Sequence, residues 1–357
     1  MRAKRTAGLA FLVLLTACLL AACGRSGEAT GSKEASGEHT IDLGGGRQVT
    51  VDKGAKANIA FFIATTSNLY TQAMVDEAEK TAAKLGAGLT VFDGKFDATT
   101  QYNQMQSALQ RHEFNAWWVS PIDGNQSCSM LSETAPEQGI VVGISDIVLC
   151  DRGERPADEV WQPGTLDYVG AETTTNFIDA WVEQIAARLP GAHEIGVLEG
   201  PPLTNLTDNI EAALEELEKR RPDLHVVASE NTDFTTPDGL AKAQTMLHAH
   251  PGIDVVISSY ADVTVGAIKA IKAAGKPVQV FDLGGSAAEV PLIKDGSLTA
   301  SAAYSPRGHA RAVVTALVGA VLEGKKPPTF DPGLDYGSTD KPYMVEKSNV
   351  DTYRPQY

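Results

Sequence analysis

From Asn58 onward the sequence alternates between short apolar runs and longer stretches in which apolar residues recur every three or four positions. The short runs are Asn58–Ala64 (NIAFFIA), Leu89–Phe92, Ala116–Val119 and Ile140–Ile144, followed by runs starting at Glu194 (EIGVL), His225 (HVVA), Asp254 (DVVIS) and Val278 (VQVF). They are rich in β-branched and aromatic residues and almost continuously apolar, the pattern of strands covered on both faces. Between them, Met74, Val75, Ala78, Ala82 and Leu85 mark one helix face, and Tyr102, Met105 and Leu109 another. Further faces are Phe177, Trp181, Ile185 and Leu189, then Ile210, Leu214 and Leu217, then Ala310, Val313, Val314, Leu317 and Val321, the last ending at Gly324. These spacings read as core-facing stripes. Trp117 and Trp118, on a buried strand, read as core as well.

The pattern occurs twice. Strand starts at 58, 89, 116 and 140 are matched by starts at 194, 225, 254 and 278, an offset of about 137 residues. Such a spacing predicts a structural duplication. Strands alternating with helices predict an α/β protein with parallel sheets and helices on both faces, here as two similar lobes. Ligands of open α/β sheets sit beyond the carboxyl ends of the strands, so two facing lobes predict a shared cleft.

The first residues read differently. Arg2, Lys4 and Arg5 precede an apolar run from Ala7 to Leu20, shorter than a transmembrane helix requires, and the small residues Ala21 and Ala22 lead into Cys23. This is the pattern of an export signal. The run Leu20-Ala21-Ala22-Cys23-Gly24 resembles a bacterial lipobox, which implies cleavage before Cys23 and a diacylglycerol on its sulfur; the competing reading is an ordinary signal with an incidental cysteine. Residues 23–50 begin with a Gly-, Ser- and Glu-rich stretch and are expected to form a flexible tether. The expected location is the outer face of the cell membrane, or the periplasm, with the protein anchored through Cys23.

The leader settles the cysteine reading. Of four cysteines, Cys18 goes with the signal and Cys23 carries the lipid, leaving Cys128 and Cys150 in an oxidising compartment. They are expected to form a disulfide. The charge excludes another class of function. With 45 acidic against 30 basic residues the chain carries −15, and loss of Met1–Ala22 removes three more positive charges. So acidic a chain lacks the clustered Lys and Arg that nucleic acid phosphates require.

Candidate site residues follow from the strand ends. Asn68 and Tyr70 follow the first strand, Asp146 the strand ending at Ile144, and Tyr260 and Asp262 the strand near Asp254. Asp282 ends the strand near Val278, and Phe234 precedes a helix. Carboxylates and amides bind hydroxyls and aromatic rings provide stacking surfaces, so this set suits a sugar or polyol. An aspartate before a helix is also a common N-cap, a reading that competes at Asp262. Catalytic constellations are missing: there is no Walker A loop, GxSxG elbow, HExxH or CxxC pair. His248 and His250 read as a helix end, and Asp331–Asp335 lacks EF-hand spacing. No enzymatic activity, cofactor or metal is expected.

At this point the chain resembles the periplasmic sugar-binding proteins of the ribose-binding type, the substrate-binding components of ABC importers. The resemblance runs from about Asn58 to Lys326. It is carried by NIAFFIATTSNLYTQAMVDEAEKTAAKLG, DGKFDATTQYNQMQSAL and FNAWWVSPID, and later by VQVFDLGGSAAEVPLIKDGSLTAS. The strongest stretch is TDFTTPDGLAKAQTMLHAHPGIDVVISSYADVTVGAIKAIKAAGK. It implies two Rossmann-like lobes of the type I periplasmic-binding-protein fold, residues 51–171 with 305–331 and residues 172–304 with 332–357. Three crossovers near 170–174, 304–306 and 332–339 would join them. It implies ligand contacts by Asn68, Tyr70, Asp146, Phe234 and Asp282, with Tyr304 at a hinge position that is polar in the family. It also implies capture of a sugar or sugar-like polyol by a monomer and delivery to an ABC permease; a sensor that presents the ligand to a membrane receptor is the alternative.

The departures from the family pattern carry a further expectation. Ile147 stands where the family has an arginine, Asn205 or Asp208 is nearest to the second family arginine, and Ala261 replaces an asparagine. A pocket that keeps its acids without those donors would be net negative, suited to a polyol, an amino sugar or another cationic or nucleoside-like small molecule, with Tyr70, Phe234, Tyr260 and Tyr304 as stacking rings. The insertion 151–163, pinned by the expected disulfide, carries Trp161 to the cleft mouth, either as a lid or, in the competing reading, as a locally packed residue of a surface loop.

Overall fold

The structure is a computed structural model describing residues 37–153, 155–156, 159–201 and 205–357. The expected signal with Cys18, the expected lipidation site Cys23 and the first part of the tether lie outside the described residues.

In chain order the strands are β1 (Glu38–Gly44), β2 (Arg47–Asp52), β3 (Asn58–Ile63), β4 (Gly88–Asp93), β5 (Ala116–Val119), β6 (Val141–Ser145) and β7 (Asp167–Val169). They continue with β8 (His193–Glu199), β9 (Leu224–Asn231), β10 (Val255–Ser258), β11 (Gln279–Gly284), β12 (Ala300–Ala303), β13 (Phe330–Asp331) and β14 (Met344–Glu346). The helices are α1 (Leu69–Lys84), α2 (Ala98–Arg111), the short α3 (Ala135–Glu137) entered through a π-helical turn, α4 (Thr175–Ala186) and α5 (Asn205–Arg220). They end with α6 (Thr236–Ala249), α7 (Ala261–Ala274), α8 (Val290–Asp295) and α9 (Pro306–Glu323).

Two six-stranded sheets result, ordered β13-β7-β6-β5-β3-β4 and β14-β12-β11-β10-β8-β9. All pairings are parallel except β14 on β12. The central strands β5, β6 and β10 are buried at every position, as their unbroken apolarity requires. Trp118 stacks on Phe61 with ring centroids 3.6 Å apart, and Trp117 meets Phe62 edge-on at 5.1 Å, so both tryptophans are core.

The chain passes between the sheets three times: between β7 and α4, between β12 and α9, and between β13 and β14. Helix α9 returns to the first sheet, where Ala310, Val313, Val314 and Leu317 are fully buried with the residues of β3 and β5. The eight strands legible in the pattern all form within a few residues of the positions read from it.

The hairpin β1–β2 corrects one expectation. Residues 38–50 were expected to be tether, but Glu38–Asp52 pair antiparallel. Ile41, Leu43, Val49 and Val51 are buried in the first-lobe core, and Arg47 pairs with Glu133 and Glu137. The alternation Ile41-x-Leu43 and Val49-x-Val51 is the period-2 signature of a strand with one covered face.

Cys128 and Cys150 form the expected disulfide, with Cα atoms 5.2 Å apart. Trp161 is not a lid. Its ring lies so close to Gly44 that a Cβ there would sit 2.6 Å from it, its Nε1 donates to the Thr165 carbonyl at 3.2 Å, and Lys326 lies 5.6 Å over the ring. The insertion thus turns back onto the hairpin, because the apolar indole finds cover there that a cleft mouth does not provide.

Candidate ligand-binding site

A cavity of about 200 Å³ lies between the lobes. Four loops of the first lobe line it: Ala64–Thr71 into α1, the loop after β4 with Phe96, Ser120–Ile122 after β5, and Asp146–Ile147 after β6. Pro201, Leu206, Phe234 and Tyr260 line it from the second lobe, and Gly170, Glu172, Thr173 and Tyr304 from the crossings. Its walls are strongly aromatic. Phe234 and Tyr260 lie 4.8 Å apart, Tyr70 meets Tyr304 at 5.6 Å and Tyr260 at 6.3 Å, and Phe96 faces Phe234 at 6.5 Å.

Local chemistry positions these groups. Asn68 caps α1, its Oδ1 accepting from the Thr71 backbone N–H at 2.9 Å, and its Nδ2 carries no hydrogen bond among the described residues. Phe234 and Asp146 hold left-handed backbones, φ +61° and +65°, uncommon for non-glycine residues and typical of strained functional turns. Gly200 leaves room for Phe234: a Cβ there would lie 2.2 Å from the ring.

Asp146 is the polar centre. Its Oδ1 accepts from the Tyr70 hydroxyl at 2.9 Å and from His309 Nδ1 at 3.0 Å; its Oδ2 accepts from Ser120 Oγ at 2.8 Å and Ser145 Oγ at 2.9 Å. On its other side, His309 Nε2 reaches Glu172 Oε2 at 2.8 Å. Burial alone would push the His309 pKa down, but the Glu172 charge and the Asp146 hydrogen bond outweigh it and raise it to about 10. The ring is therefore an imidazolium at neutral pH and donates from both nitrogens. Burial would raise the Asp146 pKa, yet the His309 bond and charge, with the Ser120 and Tyr70 hydroxyls, bring it below the usual carboxylate range. Burial, reinforced by these carboxylates, pushes the Tyr70 and Tyr304 phenols up, and they stay neutral.

The acids of the site are not free, as the expected pocket had them. Asp146 and Glu172 both face a buried cation that the sequence reading did not single out, and the three groups together keep one formal negative charge. His309 is one position before Ala310 in the apolar stripe of α9, and nothing in that periodicity marks it as chemistry. Glu172, Ser120 and Phe96 were also missed, lying in loops without a motif.

Of the expected site residues, the structure brings together Asn68, Tyr70, Asp146, Phe234, Tyr260 and Tyr304. It does not bring in Asp282. Strand β11 runs two residues beyond it, so Asp282 sits within the strand, in register with Ser258 and Ser301, fully buried. There it is coupled to the equally buried Glu289, and burial raises both carboxyls. Asp262 is the second residue of α7; Tyr260 occupies the N-cap, and Asp262 does not line the cavity. Asp208 lines a separate polar cavity beside Ile147. Among the described residues no group of three or more His, Cys, Asp or Glu is placed to hold a metal, and no helix is long and apolar enough to cross a membrane.

Residues 59–326 match the periplasmic binding protein domain. The chain is 25% identical over 268 residues to the ribose import binding protein of Bacillus subtilis, covering 75% of this chain and 82% of that one. Among solved structures it is similar to an ABC transporter solute-binding protein from Bacillus halodurans with bound myo-inositol, at TM-score 0.72 and 20% identity, covering 85% of this chain and 99% of that one. It is also similar to one from Mycobacterium smegmatis with bound glycerol, at TM-score 0.71 and 22% identity, covering 84% and 96%.

Proposed function

The chain belongs to the periplasmic binding protein family, and from that membership we propose that it is the extracytoplasmic substrate-binding protein of an ABC importer, taking a neutral sugar or cyclic polyol. The observation that carries this reading is the cavity between the two parallel-sheet lobes, walled by rings from both and by the crossings that connect them. Rotation about three short crossings opens and shuts such a cleft, and the ligand is retained by contacts that exist only when it is shut. Relatives of similar length bind ribose, and neighbours in fold hold myo-inositol and glycerol, which supports the same ligand class here.

The site supports a neutral ligand over a cationic one. Both Asp146 oxygens are occupied by protein donors, and the His309 imidazolium stands between the two acids. What remains for a ligand is aromatic surface, the Asn68 amide and the Tyr260 and Tyr304 hydroxyls, which suits a ring with an apolar face and hydroxyls at its edge.

Anchoring through Cys23 is part of the same proposal: a lipid tether would keep the trap beside its permease. Mass spectrometry of the protein from bacterial membranes tests it, a diacylglyceryl-Cys23 amino terminus being the expected result. For the ligand class, a thermal-shift panel of ribose, hexoses, myo-inositol, glycerol and amino sugars is decisive, since a tight ligand stabilises the closed form by mass action. Stabilisation by the amino sugars alone would reject the neutral-ligand reading.

A further inference from the structure

The cleft has a second chamber. Beside the aromatic cavity, and sharing Ile147 with it, lies a cavity of about 380 Å³ whose lining is of the opposite character. Asp123 and Asn125 enter it from the loop after β5, Asp151 from the loop after β6, and Asn205, Asp208 and Asn209 from the first turns of α5. Both lobes therefore build it. Among the described residues neither Lys nor Arg lines it, nor does any aromatic ring.

Its polar groups are held in place yet keep free capacity. Asn209 is only 5% exposed; its Nδ2 donates to the Gly153 carbonyl at 3.2 Å and the Thr173 carbonyl at 2.8 Å, while its Oδ1 accepts nothing among the described residues. Asn205 Nδ2 donates to the same Thr173 carbonyl at 2.9 Å, and its enclosed Oδ1 has no partner among the described residues. Asp208 makes no hydrogen bond or ion pair among the described residues. Thr173 also lines the aromatic cavity, so one residue of the first crossing sets the wall between the two chambers.

The two chambers complement each other. In the inner one the polar side chains largely satisfy one another, which leaves stacking as its main recognition. In the outer one acceptors outnumber donors and stacking is absent. Resting on the sugar reading above, we propose that the ligand is a two-unit glycoside. One ring stacks in the inner chamber, and a second, neutral sugar unit sits in the outer chamber, hydrogen-bonded to Asp208, Asn205 and Asn209. The unpaired Asp208 carboxylate, with Asp123 and Asp151 beside it and no basic side chain among the described lining residues, excludes a uronic acid or phosphorylated sugar there.

Calorimetry with matched pairs tests this: myo-inositol against galactinol, galactose against melibiose and lactose, glucose against maltose, each with wild type, Asp208→Ala and Asp208→Asn. Asp208 is exposed and unpaired, so neither variant removes a structural contact. The expected result is at least one two-unit ligand binding tenfold or more tightly than its single unit. Asp208→Ala should cost that ligand at least five times more affinity than it costs the single unit. Single-unit ligands that bind as tightly as every glycoside overturn the second chamber and leave the proposed function intact. So does a glycoside advantage that survives both variants. If no sugar, polyol or glycoside binds, the sugar reading falls and this proposal falls with it.

Discussion

Nε2 of His309 lies 2.8 Å from Oε2 of Glu172, and through this contact helix α9 holds the first crossing between the lobes. Glu172 gives its other oxygen to the backbone N–H of Ser305, in the second crossing, at 3.1 Å. One imidazolium thus joins the cavity floor at Asp146 to two of the three strands about which the lobes turn.

This latch has a pH signature. The folded-state pKa of His309, about 10, stands above the ordinary value near 6.5. The stability it contributes is fully present below about pH 6.5 and is lost as the pH rises through about 10. Urea unfolding of wild type and His309→Gln between pH 6 and pH 10 should show wild type the more stable, by a margin that shrinks as the pH rises. A margin constant across that range would mean that the ring is not charged in the folded protein.

The pair formed by Asp282 and Glu289 acts in the opposite sense to an ordinary carboxylate. Burial raises both groups, so the folded chain binds more protons than the unfolded one above the usual carboxyl range, and stability falls as the pH climbs beyond about 4. Glu289→Gln keeps an acceptor for the Ser286 N–H, which lies 2.6 Å from Oε2, and removes one acid from the site. The variant should be more stable than wild type at pH 8 and show little difference near pH 4. Destabilisation at pH 8 would show the shared proton to be a structural asset.

Gly200→Ala places a methyl group where Phe234 now sits. The ring must leave its place over the cavity, at a loss of about 0.5–1.5 kcal/mol of stacking. Ligand affinity should fall by roughly three- to tenfold while circular dichroism stays that of wild type. Unchanged affinity would remove Phe234 from the site.

Trp161→Ala tests the loop that does not cover the cleft. Loss of a partly buried indole from the hairpin should lower Tm, with a cost of about 2 kcal/mol, below the 3–5 typical of a fully buried ring. Affinity should not change; a lost affinity would restore the lid. Reducing the Cys128–Cys150 bridge, which spans 22 residues, should cost about 3 kcal/mol by loop-closure entropy, measured as the denaturation midpoint with and without a thiol reductant.

The central strands were legible because burial on both faces leaves no room for polar residues, and β3, β5, β6 and β10 announce themselves. The strands β7, β12, β13 and β14 are two to four residues long and flank the crossings, too short for any periodicity. At the site, residues just beyond strand ends were readable from topology alone, which found Asn68, Tyr70 and Asp146. Asp282 shows the limit: a shift of two residues in where a strand stops moves its side chain from the cleft into the interior. His309 shows another, since a charged ring inside an apolar stripe becomes visible only when two carboxyl groups from distant loops close around it.

The last strands carry a consequence for folding. β13 completes the first sheet by pairing with β7, and β14 completes the second by pairing with β12, so both edges are supplied from Phe330–Glu346. During synthesis neither lobe can finish its sheet until that stretch emerges, and the β7–β13 contact closes over a long loop, a slow step for a growing chain. Both lobes should therefore become protease-resistant together rather than one after the other, in a protein whose two halves look independent.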